Sequence, residues 1–303
     1  MTMATEFEIT DESLASLRDK VVIVTGCSSG IGLATVQLLL SLGAKVVGGD
    51  IVKPPATLTP EEYPNFAFVK TDVSEWSDQV NLFKKALHHG QGTIDHVFAN
   101  AGTRPRTNYV DRIEVDEATG DPIEPPSLVL DVNLKGSIHT ATLAVHYMRP
   151  DQGGIGGSIV VNASTTAFTR FSAADYSIAK HGTIGLVRSL HTILASHPQR
   201  LPVRINGIAA SWTSTSILDN SVFEAAGVYA QPCLAVARAA AFLMASGDGG
   251  KIVHVDHGVY KEVDEAILRT YREEIVHPDT KDEDKAYVKM RDIILAGMVT
   301  APE

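Results

Sequence analysis

The feature that most constrains the fold is a glycine-bearing turn between an apolar run and a helical pattern. Val21-Val22-Ile23-Val24 is continuously apolar, as in a strand covered on both faces. Thr25-Gly26-Cys27-Ser28-Ser29-Gly30-Ile31-Gly32 follows, and apolar residues then recur at helical spacing up to Gly43. Glycines let the backbone approach a pyrophosphate, and a helix N-terminus offers N–H groups and partial positive charge. A strand, turn and helix in this order predict a dinucleotide site.

Apolar runs and helical patterns continue to alternate along most of the chain. Further strands are predicted near 45–50, 66–69, 96–99, 158–162, 203–208 and 252–255. Helices are predicted near 74–89, 128–148, 175–195 and 234–245. The alternation predicts an α/β fold, a Rossmann-type doubly wound parallel sheet of about seven strands with helices on both faces.

No composition break divides this region, so we expect one dinucleotide-binding catalytic domain over 18–260. Residues 1–17 are polar and are predicted to form a flexible arm. Residues 261–303 are charged with scattered apolar positions, and a helical extension is predicted there.

Asp50 ends the second predicted strand, about 20 residues after the glycine turn. A carboxylate there can accept hydrogen bonds from both adenosine ribose hydroxyls, and it would repel a 2′-phosphate. No arginine lies in the turn or just after Asp50, and Lys53 is the nearest base. We therefore expect NAD rather than NADP, with Ile51 in the same site. The alternative for Asp50 is a solvated carboxylate at a strand end.

Tyr176 and Lys180 are four residues apart, in Tyr176-Ser177-Ile178-Ala179-Lys180. On a helix their side chains share one face. A nearby ammonium favours the phenolate and lowers the tyrosine pKa from about 10. A phenol shifted in this way can give or take a proton at an alcohol or carbonyl oxygen. Such a pair is common on solvated helices, but after a dinucleotide turn it indicates catalysis.

The chain resembles the short-chain dehydrogenase/reductase family over roughly residues 18–258. The motifs that carry the resemblance occur in the family's order. They are the Gly26–Gly32 turn, Asp72-Val73, Asn100-Ala101-Gly102, Asn133, Ser164, and Tyr176 with Lys180. Tyr176 to Leu190 and the context of Ser164 are similar to fungal members in secondary-metabolite pathways.

The resemblance implies a role for each catalytic position. Tyr176 is the expected general acid/base, and Lys180 is expected to bind the nicotinamide ribose and depress the Tyr176 pKa. Ser164 is expected to hold the substrate oxygen, with Thr165 as the alternative hydroxyl. Asn133 is expected to position a proton-relay water; an asparagine in a helix otherwise more often bonds the backbone.

The resemblance also places the cofactor. Asp72 and Val73 are expected beside the adenine, although Asp72 could instead be a helix N-cap. Asn100-Ala101-Gly102 is expected to line the cofactor cleft, with an ordinary strand-end turn as the alternative. Thr213 and Thr215 match positions that contact the carboxamide. The family commonly has Pro-Gly after the sixth strand, whereas this chain has Ala210-Ser211, so the loop under the nicotinamide is expected to run differently.

Two segments, 103–126 and 212–231, are expected to flank the reactive end of the cofactor. They contribute candidate pocket residues: Arg104, Arg106, Trp212, Ile217 and Phe223. The mixture of aromatic and aliphatic side chains after 211 favours a fairly apolar substrate, although such residues are more often core.

The formal net charge of −10 argues against polyanionic partners. Phosphate backbones and anionic lipids are repelled by an acidic surface, so neither nucleic acid nor a membrane is expected. Cys27 and Cys233 do not make a disulfide framework, and Cys27 is expected to be a packing residue. The histidines show no metal-ligand spacing. The acidic N-terminus lacks a secretory signal, so we expect a cytoplasmic location.

In the family, the helices that hold Asn133 and Tyr176 commonly pack against their copies in a neighbouring subunit. The second of these helices offers apolar and small side chains for such contact: Gly182, Ile184, Gly185, Val187, Leu190 and Leu194. Packing on its own sheet is the alternative. The resemblance implies a homodimer or homotetramer.

These observations predict an NAD-dependent oxidoreductase that interconverts a secondary alcohol and a ketone on a fairly apolar small molecule. The altered Ala210-Ser211 loop and the charged tail leave a second hypothesis open. It is a redox-neutral enzyme on the same fold, a dehydratase, isomerase or cyclase of natural-product biosynthesis.

Overall fold

The computed structural model describes residues 4–59, 61–110, 113–215, 220–277, 285–290 and 292–293. The strands within these residues form a single sheet. Its nine strands within these residues are, in chain order, β1 (Thr5–Phe7), β2 (Val21–Thr25), β3 (Lys45–Asp50), β4 (Phe66–Lys70), β5 (His96–Ala99), β6 (Gly157–Asn162), β7 (Val203–Ala210), β8 (Ile252–Asp256) and β9 (Val259–Glu262). Strands β2 to β8 are parallel neighbours and correspond to the seven predicted strands. The predicted Rossmann-type sheet is therefore confirmed, with two strands more than expected.

The two additional strands extend one edge of the sheet. β9 follows β8 after a tight turn and pairs with it antiparallel, and β1 pairs antiparallel with β9. The predicted flexible arm is therefore corrected for its described residues: after β1 the chain forms a 3-10 helix, Glu12–Leu17, whose Leu14 and Leu17 are fully buried in the core. The mostly polar composition of this segment gave no indication that Leu14 and Leu17 belong to the core.

Helices cover both faces of the sheet, as the alternation of apolar runs predicts. They are α1 (Gly30–Ser41), α2 (Trp76–His89), α3 (Leu128–Leu130), α4 (Gly136–Met148), α5 (Ala174–Ala195), α6 (Asn220–Ala226) and α7 (Cys233–Ala245). A π-helical turn, Asp131–Lys135, joins α3 to α4. Helix α1 packs against α7. Helix α4 packs against both α2 and α5.

The strand order places the functional crevice. The sheet runs β1-β9-β8-β7-β6-β5-β2-β3-β4, so the chain winds one way from β2 to β4 and the other way from β5 to β8. In such sheets ligands bind outside the carboxyl ends of the strands at the point of reversal. That point lies here between β2 and β5, directly after Thr25 and Ala99.

The chain divides into two compact units, Thr5–Glu262 and a unit of Met1–Ala4 with Val263–Glu303. The second unit contains helix α8 (Asp264–Thr270) and a π-helical turn, Tyr271–Ile275, in the segment where a helical extension was predicted. Within the part of the chain that the structure describes, no helix combines the length and apolarity needed to cross a bilayer.

Candidate active site

The glycine turn between β2 and α1 is shaped for close backbone approach. Gly26 and Gly30 have φ of +67° and +53°, in the left-handed region that side chains rarely adopt. A Cβ on Gly32 would lie 1.9 Å from the Gly26 carbonyl oxygen, so only glycine allows α1 to begin against the turn. The first N–H groups of α1 have no intrahelical partners by helix geometry. The turn and the helix N-terminus thus fit a pyrophosphate.

Cys27 lies inside this turn and faces the core. Its side chain is fully buried, and burial raises the pKa of its thiol to about 12. A thiol that stays protonated is a poor nucleophile. Cys27 therefore packs the turn against Gly48 of β3, where the sulfur occupies the space beside a glycine without a Cβ.

Asp50 lies at the carboxyl end of β3, in the lining of a cleft of about 510 Å³ beside the turn. Its carboxylate accepts the Ser28 N–H at 3.0 Å and the Val52 N–H at 3.1 Å. The Ser28 hydroxyl in turn donates to the Val52 carbonyl at 2.6 Å. Asp50 therefore braces the turn as well as lining the cleft, and Ile51 lines the cleft beside it.

Asp72 and Val73 line the same cleft from the end of β4. The Asp72 carboxylate accepts the N–H and hydroxyl of Ser74, at 2.9 Å and 2.6 Å. The residue at the N-cap of α2 is Glu75 rather than Asp72. Asp72 thus forms a local turn with Ser74 and does not cap the helix.

Asn100 ties the glycine turn to β5. Its side-chain amide donates to the carbonyls of Thr25 and Gly26, at 3.0 Å and 3.3 Å. The Thr25 hydroxyl accepts the N–H groups of Asn100 and Ala101, at 3.0 Å and 3.1 Å. Asn100, Ala101 and Gly102 all line the cleft. The predicted cofactor positions on β2, β3 and β5 therefore meet in one place, and their donors and open backbone fit a dinucleotide.

Ser164 and Tyr176 lie together in a second cavity of about 720 Å³. Ser164 precedes a 3-10 helix, Thr165–Phe168, and its hydroxyl accepts the Thr166 N–H at 3.2 Å. Burial raises the pKa of the Tyr176 phenol, and its hydrogen bond with Ser164 lowers that pKa by less. Thr165, the alternative to Ser164, lines the cavity too, but Ser164 is the hydroxyl that influences the pKa of Tyr176.

Lys180 follows Tyr176 by one turn of α5 and is only 4% exposed. Its Nζ donates to the Asn162 carbonyl at 2.7 Å and lies 5.5 Å from the centroid of the Tyr176 ring. Burial lowers the pKa of Lys180 to about 8. The expected lowering of the Tyr176 pKa by this ammonium is corrected, because desolvation of the phenolate outweighs the other influences.

Asn133 is fully buried in the π-helical turn between α3 and α4. Its side-chain oxygen accepts the Thr103 N–H at 2.7 Å, and its side-chain nitrogen donates to the Thr103 carbonyl at 3.0 Å. The side chain is therefore engaged with the loop after β5. The relay role expected from the resemblance stays a prediction.

The loop after β7, where Ala210-Ser211 departs from the family pattern, is anchored by Gln231. The Gln231 backbone bonds the Trp212 carbonyl and the Ser214 N–H, both at 2.9 Å. Its buried side chain donates to the Thr213 hydroxyl at 3.4 Å and to the Val255 carbonyl at 2.9 Å. The loop thus presents Thr213 and Thr215 to the cavity without a glycine at 211.

The two cavities adjoin and share part of their lining: Ile31, Asn100, Gly102, Thr103, Arg106, Asn162 and Thr215. The larger cavity also contains Trp212 and Phe223, two of the predicted pocket residues. Arg104 is exposed and lines neither cavity, and Ile217 lies outside the described residues. Gly32 packs under the turn rather than facing the cleft.

Several residues of the site are given no individual role by the sequence patterns. Thr25 and Asn162 are polar residues at the ends of apolar strands, which is a signal that could have revealed them. Phe171 also lines the larger cavity, and its ring packs edge-on against Trp212. Gln231 carries no local signal, because its partners lie in other segments of the chain.

Comparison with known proteins identifies the family. The family model described as short chain dehydrogenase matches residues 20–226. The chain belongs to the short-chain dehydrogenase family. Members of this family are oxidoreductases that use nicotinamide cofactors and act on small molecules.

Relatives of this short-chain dehydrogenase include several fungal proteins. The short-chain dehydrogenase/reductase ascJ of Acremonium egyptiacum is 48% identical over 276 residues, which cover 90% of each chain. Prx4 of Penicillium roqueforti is 35% identical over 71% of this chain, and the match spans 60% of its own length. The 5′-hydroxyaverantin dehydrogenase stcG of Emericella nidulans is 33% identical over 66% of this chain and 68% of its own. The predicted resemblance to fungal family members is confirmed.

A solved structure shows the same fold. The short-chain type dehydrogenase/reductase from Mycobacterium marinum has a TM-score of 0.67 and covers 82% of this chain and 98% of its own. At 21% sequence identity, this likeness supports the fold alone.

A Gly32→Ala substitution is expected to lower cofactor affinity by at least about tenfold, because the new Cβ must push the Gly26 carbonyl away. Fluorescence titration with NADH and NADPH measures the affinity. Gly185→Ala is the matched control, since a Cβ there meets no heavy atom within 4 Å. Unchanged affinity in a folded Gly32→Ala protein would contradict the shape assigned to the turn.

The buried Lys180 is expected to make stability depend on pH. Its folded pKa, about 8, lies below the ordinary 10.5, so folding is penalised while the lysine is charged and the penalty fades as pH rises through this window. The unfolding free energy of wild type relative to Lys180→Met is expected to rise by about 2–3 kcal/mol from pH 7 to pH 10. Urea denaturation at both pH values measures it.

Lys135→Met is the control for that experiment, because the Lys135 side chain is 54% exposed. Its stability difference from wild type is expected to stay flat over the same range. A flat difference for Lys180→Met as well would show that Lys180 is not held in a desolvated site.

Proposed function

We propose that this short-chain dehydrogenase is an NAD-dependent enzyme that interconverts a secondary alcohol and a ketone on a fairly apolar small molecule. The observation that carries the proposal is the meeting of Ser164, Tyr176 and Lys180 in a cavity that opens onto the dinucleotide cleft. In this proposal Ser164 holds the substrate oxygen, Tyr176 moves a proton and Lys180 provides positive charge. An alcohol or carbonyl at this place has all three within the same cavity.

The proton chemistry belongs to Tyr176. With its pKa raised by burial, the phenol is protonated near neutral pH and can donate to a carbonyl oxygen that Ser164 also holds. In the reverse direction the phenol must first lose its proton, and burial opposes that loss, so a positive charge on Lys180 offsets only part of the cost. Lys180 carries that charge below a pKa of about 8. A bound nicotinamide supplies the hydride acceptor or donor.

The preference for NAD rests on the charges of the cofactor cleft. Asp50 and Asp72 are both carboxylates in its described lining, and Arg106 is the only cation there. Arg106 also lines the substrate cavity, whereas Asp50 lines only the cofactor cleft. A 2′-phosphate beside Asp50 would meet repulsion without a matching arginine.

An aromatic wall supports the apolar character of the substrate. Trp212 packs edge-on against Phe171 and Phe223, with ring centroids 6.0 Å and 5.8 Å away. Trp212 remains 42% exposed, so its ring is available to a ligand. Among the described lining residues the only charged ones are Arg106 and Lys180. A role in fungal secondary-metabolite biosynthesis agrees with relatives such as stcG.

Assembly and location are extensions of the same proposal. Ile184, Val187 and Leu194 of α5 are buried within the chain itself, which favours packing on its own sheet for these residues. Ile178 and Ile193 of α5 and Ile138 of α4 remain exposed and are the side chains left for a subunit contact. A homodimer or homotetramer in the cytoplasm stays a prediction.

Tyr176→Phe is expected to lower turnover by about 10²–10⁴-fold, because it removes the proton donor and little else. A panel of ketones and secondary alcohols that includes 2-tetralone and 2-tetralol, followed by reduced-nicotinamide absorbance, measures turnover. NADH affinity is expected to stay within about twofold. Tyr147→Phe is the control, since that ring stacks on Phe83 away from the site. Turnover by Tyr176→Phe close to that of wild type would contradict the role of Tyr176 in proton transfer.

Wild-type protein is expected to bind NADH more tightly than NADPH, and Asp50→Asn to narrow that difference. The asparagine keeps an acceptor oxygen for the turn but loses the charge that repels a 2′-phosphate. Isothermal titration with both cofactors measures the ratio. A wild-type preference for NADPH would remove the NAD assignment and leave the rest of the site in place.

A further inference from the structure

The loop of residues 103–109, which follows β5, lies at the junction of the two cavities. It supplies several of their lining residues: Thr103, Pro105, Arg106, Thr107 and Asn108. The loop belongs to no helix or strand. Its backbone groups therefore need partners from other parts of the chain to be held in place.

Asn133 fixes the start of this loop. Its amide bonds both the N–H and the carbonyl of Thr103, at 2.7 Å and 3.0 Å. Since Thr103 lines both cavities, this anchor secures the side of the loop next to the cofactor cleft.

Asp175 fixes the middle of the loop. One oxygen of its carboxylate accepts the N–H groups of Arg106 and Thr107, both at 2.9 Å. The Asp175 N–H donates back to the Thr107 carbonyl at 3.4 Å. The side chain is 1% exposed, so these charge-assisted bonds are shielded from water.

The same carboxylate reaches the catalytic helix. Asp175 lies in the first turn of α5, and its other oxygen accepts the Tyr176 N–H at 2.6 Å. That N–H is one of the groups that a helix leaves without an internal partner. One buried side chain therefore joins the loop over the substrate cavity to the residue that carries the proton.

We propose that Asp175 is a positioning residue that holds loop 103–109 against the catalytic helix and so sets how well the substrate is bound. Neither the glycine turn nor the cofactor-side anchor at Asn133 involves this carboxylate. The substrate KM therefore depends on Asp175 more strongly than cofactor affinity does, because Arg106 is the only residue held by this carboxylate that lines the described cofactor cleft. The kinetic consequence rests on the proposed alcohol–ketone activity, and the structural link does not.

Amide hydrogen exchange tests the link without any substrate. In Asp175→Ala, the N–H groups of Arg106 and Thr107 lose their acceptor, and exchange in the peptide that covers 103–110 is expected to rise about tenfold or more. Asp116→Ala is the matched control, because the Asp116 carboxylate also accepts two backbone N–H groups but lies in an exposed loop outside both cavities.

Steady-state kinetics with 2-tetralone and NADH tests the positioning role. Asp175→Ala is expected to raise the KM for 2-tetralone about tenfold while the NADH dissociation constant stays within about twofold. Asp175→Asn keeps one acceptor oxygen on a side chain of the same length. Its KM for 2-tetralone is therefore expected to lie between those of wild type and Asp175→Ala. Asp116→Ala is expected to match wild type in both constants.

The outcomes separate the two claims. Faster loop exchange with an unchanged KM would overturn the positioning role, and so would a parallel tenfold loss of NADH affinity. Unchanged exchange in Asp175→Ala would overturn the link itself. If Asp175→Ala does not fold, Asp175→Asn gives the same comparisons. If wild type turns over no ketone or alcohol, the proposed function fails while hydrogen exchange still decides the link.

Discussion

A line of hydrogen bonds through two asparagines connects the cofactor turn to the catalytic helix, and the site depends on it. The Asn100 amide bonds the carbonyls of Thr25 and Gly26, and its oxygen accepts the Asn162 amide at 2.9 Å. The Asn162 carbonyl accepts Lys180 Nζ. Because β2, β5 and β6 are neighbours in the sheet, their carboxyl ends bring these residues together. The turn that fits a pyrophosphate and the Lys180 ammonium are therefore fixed relative to each other by the sheet.

This arrangement places two titratable groups, Lys180 and Tyr176, where burial disfavours their charged forms. Lys180 has one hydrogen bond to a carbonyl and little exposure to water, which lowers its pKa to about 8. Tyr176 is held in its neutral form by the same dry surroundings. A desolvated site destabilises isolated charges but strengthens their effect on a bound oxygen. The cost in stability and the catalytic usefulness thus have a common origin in burial.

The fold could be predicted from the sequence because apolar runs and helical spacing are local signals. Strands such as Val21–Thr25 and the Tyr176–Lys180 pair were recognisable within a few residues. The strand Thr5–Phe7 was not, because its partner β9 lies some 250 residues further on, at Tyr260–Glu262. The roles of Gln231 and Asp175 could not be predicted for the same reason, because their hydrogen-bond partners lie in distant segments of the chain. The direction of the Tyr176 pKa shift also required the structure, since spacing places the lysine nearby but does not measure desolvation.

The central claim is that the reaction in this cavity is a hydride transfer between the nicotinamide and the carbinol carbon of the substrate, rather than a redox-neutral step. The most direct test uses NADH that carries deuterium at the transferred position, incubated with the ketones of the panel, and follows the products by NMR. The account predicts deuterium on the carbinol carbon of the alcohol, in one stereochemical configuration, with formation of this product slowed about 10²–10⁴-fold in Tyr176→Phe. A product that forms while the deuterium stays on the cofactor would contradict the account and favour a dehydratase, isomerase or cyclase on the same fold.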